Sequence, residues 1–373
     1  MNEDIVIQLL KEAGVDLIAS LPCDKIKGLY IQVTENFRHV PLTREEEGVG
    51  ICAGASLAGA KPALLIQSSG MGNAINTLCS LTKVYHLPLA ILVSWRGIYE
   101  EKIPAQIPMG KYLPRVLDAL EINYTMIHEK GQIPLMKPAL EDAYKKNSVC
   151  AVLLSPKIWG GRGVESKSSP GERKVKALRY EGRGVHPTLT RFEIIQLVAP
   201  FLEEKAVVCN LGIPSKELFY VKHQESNFYM LGSMGMASSI GLGIAMNTKK
   251  EVVVIDGDAS LLMNPGALAT IAQISPENMT ILSIDNGAHG STGSQPTATM
   301  SVANLDMIAR GFGLEKVYKA ATKDEIHGIF EELEGESGPN FVHALAKQGN
   351  ADVPNIPLTP AEIKHRFMEF LRK

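Results

Sequence analysis

The stretch 252–287, VVVIDGDASLLMNPGALATIAQISPENMTILSIDNG, narrows what this chain can fold into more than any other. A continuous apolar run ends in Gly257-Asp258-Ala259, a helix opens at Ser260, and a second apolar run, Met279–Ile284, ends in Asp285-Asn286-Gly287. Apolar runs of this length on either side of a helix predict neighbouring strands of a buried parallel sheet. Parallel strands end on one edge, so Asp258 and Asn286 converge although 28 positions separate them. A carboxylate and an amide carbonyl are the oxygen ligands a hard divalent cation takes, with phosphate oxygens and water completing its shell. The helix opening at Ser260 would aim free N–H groups and a positive dipole end at the same phosphates. Gly-Asp or Asp-Asn-Gly alone is ordinary turn chemistry; the pair, at this spacing, points to a bound ligand.

The same alternation runs through the rest of the chain. Ile5, Val6, Leu9 and Leu10 recur at helical spacing up to Gly14, and a strand at Val15–Ala19 follows. Next come a helix at Glu45–Leu57, a strand at Ala63–Ile66, a helix after Gly72, and strands at Leu89–Val93 and Ala151–Leu154. Residues 160–174, GGRGVESKSSPGERK, interrupt the pattern with little that could be buried. It then resumes with a helix near Arg191–Phe201, strands at Ala206–Leu211, Val252–Ile255, Met279–Ile284 and Phe341–Ala344, and a C-terminal helix. The reading is an α/β protein of two doubly wound parallel-sheet domains, 1–160 and 187–373, joined by a linker at 161–186. With 373 residues, 45% of them hydrophobic, each domain can bury its own core. The balance of 38 basic against 40 acidic residues gives no general pull toward nucleic acid or membrane, so any anion must be held by a few placed groups. Five scattered cysteines without a CxxC pair argue against a zinc site and a disulfide framework. No secretory signal pattern and no apolar run of the roughly 20 residues that span a bilayer are present, so a cytoplasmic location is expected.

Taken together, GDA and DN at this spacing resemble the signature of thiamine-diphosphate enzymes, GDG followed after some two dozen residues by NN. Ala259 stands for its last Gly and Asp285 for its first Asn. The resemblance implies two cofactors, thiamine diphosphate and Mg²⁺, with the metal held by Asp258, Asn286 and the backbone carbonyl of Ala288. Gly257, Ala259, Ser260, His289 and Gly290 flank these positions and are implied to bind the cofactor. It also implies a glutamate that hydrogen-bonds the aminopyrimidine ring, nine positions before a Gly of an Ala/Gly-rich helix. In TREEEGVGICAGA, counting back from Gly54 selects Glu45, with Glu46 and Glu47 as its solvent-side neighbours. Gly232-Ser233-Met234-Gly235 resembles the segment where a glycine carbonyl accepts from the cofactor's amino group and a bulky apolar residue bends it. Gly232 and Met234 fit those roles. The two domains would then be the pyrimidine-binding and diphosphate-binding domains, without the middle domain common among such decarboxylases.

The segments PLTREEEGVGICAG, LIQSSGMGNAIN and IDNGAHGSTGSQPT resemble those of sulfopyruvate and phosphonopyruvate decarboxylases, over nearly the whole chain. The triple-Glu helix start, PAQIPMG at Pro104–Gly110 and DASLLMN favour the former, with its two subunits joined in one chain; the latter resemble TNEG where this chain has Thr43-Arg44-Glu45-Glu46. The implied reaction is non-oxidative decarboxylation of 3-sulfopyruvate to sulfoacetaldehyde, as in coenzyme M biosynthesis; the alternative is 3-phosphonopyruvate. A small anionic 2-oxo acid needs fixed donors. Candidates are Arg44, Arg96, Lys25, Lys27 and Lys111, with Ser69, Gly70 and Asn73 at a strand-to-helix junction. His289 and Gln106 are candidates for relaying protons or orienting the carboxylate. The resemblance implies a homodimer or homotetramer with active sites between chains. A non-catalytic phosphate binder would not need Glu45, and a carboligase or oxidase of this class would usually carry the middle domain.

Overall fold

Apolar continuity decides which strands are central. In the computed structural model, which describes residues 2–159 and 186–373, the chain divides into two compact units, Met1–Lys176 and Ala177–Lys373. The linker expected at 161–186 lies, apart from His186, outside the described residues.

The first unit places six parallel strands, β1 (Leu17–Ser20), β2 (Arg38–Pro41), β3 (Pro62–Gln67), β4 (Leu89–Ser94), β5 (Asn123–Ile127) and β6 (Val149–Leu154), in the order β2-β1-β3-β4-β6-β5. Its helices are α1 (Asn2–Glu12), α2 (Lys27–Asn36), α3 (Glu45–Leu57), α4 (Ser68–Thr77), α5 (Ile107–Ala119) and α6 (Met136–Lys146). β4 and β6 are buried at every position, as strands covered on both faces must be. α3 reads EEEGVGICAGASL; its small residues let it lie against β1, β3, β4 and α4, so all of it but Glu46 is buried. Its three acids sit in the first turn, where the helix dipole favours them.

The second unit repeats the plan with β7 (Ala206–Cys209), β8 (Asn227–Tyr229), β9 (Val252–Gly257) and β10 (Met279–Asp285), a hairpin β11 (Ala288–His289) with β12 (Gln295–Pro296), then β13 (Lys316–Ala320) and β14 (Asn340–Leu345). The sheet order is β13-β14-β10-β9-β7-β8. Counted from each unit's own first sheet strand, the two orders are the same, so the halves share one architecture. The helices are α7 (Arg191–Val198), α8 (Ile213–Val221), α9 (Ala237–Ala245), α10 (Asp258–Met263), α11 (Ala267–Ile274), α12 (Leu305–Gly311), α13 (Lys323–Leu333) and α14 (Pro360–Arg372). Capping boxes at Thr190/Glu193, Thr322/Glu325 and Thr359/Glu362 start α7, α13 and α14.

Several sequence expectations shift at their ends, three of them near the site. The helix expected after Gly72 opens at Ser68, because Gly70 and Gly72 lie within it rather than before it. The helix expected to open at Ser260 begins at Asp258 and stops at Met263, before Asn264-Pro265, and a second one starts at Ala267. The strand expected to reach Leu211 ends at Cys209, where Asn210 turns the chain and accepts the Leu211 N–H on its own side chain.

Candidate active site

At the ends of β9 and β10 in the second unit, a cavity of about 180 Å³ gathers residues from four connections. Met234, Gly257, Asp258, Ala259, Ser260, Asn286, Ala288, His289 and Gly290 line it, all of them expected there from the sequence. Gly232 and Ser233 do not line it but shape the turn before Met234: Ser233 is buried at φ +59, and the Gly235 N–H donates to Ser260 Oγ at 3.0 Å. Asn210, Pro214 and Arg191 line the cavity without having been singled out. Arg191 is locked there, its Nε donating to Glu217 at 2.7 Å and its Nη2 to Glu217 at 3.0 Å and to Asn350 at 2.9 Å. No local pattern announces such a pair, whose partners lie on different helices.

Asp258 is 3% exposed, and one oxygen, Oδ2, accepts from the Thr297 hydroxyl and lies 3.0 Å from Thr299 Oγ1, whose single proton has its shorter contact with Asp285 at 2.7 Å. Burial raises its pKa, and the nearby Asp285 adds to this against those hydroxyl contacts. Burial likewise pushes Asp256 up to about 6, and its Oδ2 meets no hydrogen-bond donor among the described residues. Asn286 turns its Oδ1 to the Ala288 N–H at 3.1 Å, and its buried Nδ2 has no partner among the described residues. A buried carboxylate beside an incompletely satisfied amide fits a divalent cation carrying phosphate oxygens. Among the described residues no three His, Cys, Asp or Glu side chains gather as a metal site; the expected set has one carboxylate only.

Behind the cavity wall, Asp285 is held from three sides. Its Oδ1 accepts from Gly287 N at 3.0 Å and Thr299 Oγ1 at 2.7 Å, and its Oδ2 lies 2.9 Å from His343 Nε2. His343 Nδ1 lies 3.0 Å from Asp306, which also pairs with Lys319. Burial alone would lower the His343 pKa, but the two carboxylates outweigh it and hold it above its ordinary value.

In the first unit Glu45, 5% exposed, accepts from Asn73 Nδ2 at 2.9 Å. Its carboxylate also lies over Gly70, where a Cβ would come within 2.5 Å of Oε1. The structure therefore joins Glu45, Gly70 and Asn73 in one cluster at the start of α4, with Ser69 half-buried beside it. Of the two expected solvent-side neighbours of Glu45, Glu46 is partly exposed and Glu47 is not. Glu46 accepts from Thr77 at 2.9 Å, while Glu47 is wholly buried, taking the Thr43 N–H and hydroxyl on one oxygen, with the other unpartnered among the described residues. A helix against a sheet buries both of its flanks, which a reading of acids as surface charges overlooks.

The expected anion donors fare differently. Arg96 is no open surface donor: Glu101 takes Nε at 2.5 Å and Nη2 at 2.9 Å, and both side chains are buried. The sequence hides this because the chain doubles back within five residues; Gly97, at φ +84, makes the turn where a Cβ would strike the Gln106 carbonyl. Arg44 is half-exposed, its Nε 3.5 Å from Glu46. Lys27 pairs with Asp24 at 2.8 Å, and Lys25 and Lys111 are exposed. Gln106 sits just before α5, which packs on α4, with its Oε1 buried and unpartnered among the described residues.

Comparison with known proteins places both units. Residues 2–122 match the N-terminal TPP binding domain of thiamine pyrophosphate enzymes and residues 216–344 the C-terminal TPP binding domain. The chain is 43% identical to a sulfopyruvate decarboxylase of Methanosarcina acetivorans, over 99% of this chain and 97% of that one. In Methanococcus maripaludis the likeness divides between two proteins. The sulfopyruvate decarboxylase subunit alpha is 41% identical over 42% of this chain and 95% of its own; the subunit beta is 44% identical over 50% and 99%. A phosphonopyruvate decarboxylase of Streptomyces viridochromogenes is 30% identical over 96% of this chain and 92% of its own. Among solved structures, a thiamin diphosphate-dependent enzyme from Mycobacterium smegmatis superposes with a TM-score of 0.71 at 13% identity, covering 93% of this chain and 99% of that one, which bears on the fold alone. The chain belongs to the family of thiamine pyrophosphate enzymes that includes the sulfopyruvate and phosphonopyruvate decarboxylases.

Proposed function

We propose that the chain is a carboxy-lyase that uses thiamine diphosphate and Mg²⁺ to convert 3-sulfopyruvate to sulfoacetaldehyde and CO₂. The observation that carries the substrate is the end-to-end likeness to the Methanosarcina decarboxylase, against a weaker one to the phosphonopyruvate enzyme. In this reading Asp258, Asn286 and the Ala288 carbonyl hold the metal, and the backbone N–H groups of Ala259 and Ser260 meet the diphosphate. When bound, thiamine diphosphate supplies the nucleophilic carbon and the electron sink that loss of CO₂ from a 2-oxo acid requires. Glu45 gives and takes a proton at the pyrimidine ring; Asn73 and the bare Cα of Gly70 fix its carboxyl for that exchange. The Gly232 carbonyl and the Met234 side chain orient the cofactor, with Gly257, Ser233, His289 and Gly290 completing its surround. Arg44 and the Ser69–Asn73 turn meet the anionic head, and His289 and Gln106 orient the carboxylate. Arg96 is left out of this set because Glu101 already takes its guanidinium.

Domains at 1–160 and 187–373, a cytoplasmic location, and assembly into at least a homodimer with active sites between chains complete the reading. Matching of the two halves to separately encoded subunits supports the assembly, and no helix among the described residues is long and apolar enough to cross a membrane. The test is CO₂ release by the purified chain from 3-sulfopyruvate, 3-phosphonopyruvate and pyruvate, with and without Mg²⁺ and thiamine diphosphate. Cofactor-dependent preference for 3-sulfopyruvate is expected. Preference for 3-phosphonopyruvate would move the chain to the sister activity, and turnover without the cofactor would overturn the mechanism.

A further inference from the structure

The departure of this chain from the family signature at Asp285 has a partner. His343 is 1% exposed, and both of its ring nitrogens lie at hydrogen-bond distance from carboxylates, Nε2 at 2.9 Å from Asp285 and Nδ1 at 3.0 Å from Asp306. Each ring nitrogen therefore has a carboxylate oxygen for its partner, and an N–H at Nε2 is the donor that suits Asp285. The sheet fixes this placement: His343 on β14 is in register with Ser283 on β10 and Lys319 on β13. Lys319 closes the far end on Asp306. At the near end, Asp285 Oδ1 accepts from Gly287 N, which sets the turn bearing Asn286, and from Thr299, whose hydroxyl also reaches Asp258 at 3.0 Å.

We propose that His343 is a positioning residue for the metal and diphosphate site, clamped by Asp306 so that it fixes Asp285 and, through Asp285, the side chains of Asp258 and Asn286. This rests on the reading of Asp258 and Asn286 as the metal-holding pair. It explains why an aspartate replaces the signature's asparagine. An amide at 285 accepting from Gly287 and Thr299 would turn its NH₂ against the His343 N–H, whereas a carboxylate accepts on both sides. Asp285 and His343 are therefore one unit, and each is correct only with the other.

The test is the affinity of the full-length chain for thiamine diphosphate at fixed Mg²⁺, by isothermal titration calorimetry, with kcat at saturating cofactor beside it. H343Q must turn its amide oxygen toward one of the two carboxylates, and D285N opposes NH₂ to N–H. Each is expected to weaken cofactor binding by about tenfold or more, as loss of an outer support of a metal site does, with kcat at saturation far less changed. In D285N/H343Q the two introduced amides can pair while the one on β14 still donates to Asp306, so affinity should return to within about threefold of the parent chain. A double variant no tighter than H343Q, or H343Q binding like the parent, overturns the proposal. Should H343Q not fold by circular dichroism, D306N carries the test; unchanged affinity there overturns it. D258A separates the two readings. Loss of binding in D258A with none in H343Q sinks the positioning role alone, and full binding in D258A sinks the site assignment itself.

Discussion

Glu45 shows how much one residue's role depends on what stands opposite it. Among the described residues its carboxylate has a single hydrogen-bond donor, Asn73, and it is otherwise fixed by close approach to Gly70. Glu45→Gln keeps the shape and removes the ionisable proton, so turnover should fall roughly 100-fold or more while the affinity for thiamine diphosphate, by calorimetry, stays near that of the parent chain. Gly70→Ala pushes a methyl into the carboxylate, 2.5 Å from Oε1. A displacement near 1 Å at a reacting group can lower kcat/KM by about 100-fold. Gly72→Ala is the matched control, because its added methyl meets only the flexible end of Met109 at 3.7 Å. Equal activity of the two alanine variants in the CO₂ assay would refute the close-approach argument. Residues of this kind are partly legible in sequence. The resemblance to the family pattern, counted back from Gly54, selects Glu45, and the strand ends select Asp258 and Asn286, but nothing local in the sequence joins His343 to Asp285, or Arg96 to Glu101.

Strands that the sequence leaves unseen are those at the edges. β2, β5, β8 and β13 flank the two sheets, and β2, β5 and β13 are only partly buried, so they lack the unbroken apolar run that marks β4, β6, β9 and β10. Central strands are legible because both faces are covered; edge strands need the sheet itself to be recognised. The connection after β4 carries a different burden, since it buries a charge pair. Arg96 holds Glu101 down to about 2, its hydrogen bonds outweighing burial, with the Ile103 and Gly97 N–H groups helping. A carboxyl lowered from 4.5 in this way contributes stability that is present above about 4.5 and lost as the pH falls toward 2. The difference in thermal midpoint between the parent chain and E101Q should therefore be largest near neutrality and shrink steadily between about pH 5 and 3. A difference that stays constant over that range would mean the pair contributes no pH-dependent stability.

At the scale of the molecule, the two units repeat one strand order, each with six parallel strands and its own buried centre. The interrupted stretch at 160–174 is what makes this division readable in the sequence, because a core cannot be continued through so few apolar residues. The equality of the two strand orders is not readable there, since the edge strands that complete each order carry the weakest signal. If each unit owns its core, joining them in one chain is a matter of supply and not of folding. The related subunits alpha and beta, which match the two halves as separate proteins, argue the same way. Residues 1–159 and 186–373 produced as two polypeptides should each fold, by circular dichroism and a cooperative thermal transition, and each alone should release no CO₂ from 3-sulfopyruvate, because Glu45 lies in one and Asp258 in the other. Mixed with Mg²⁺ and thiamine diphosphate, they should recover activity that rises with the concentration of the scarcer fragment, as a tether replaced by free association requires. Activity in either fragment alone would contradict the assignment of Glu45 and Asp258 to one reaction, and two folded fragments that stay inactive together at high concentration would show that the linkage does more than hold the units near each other.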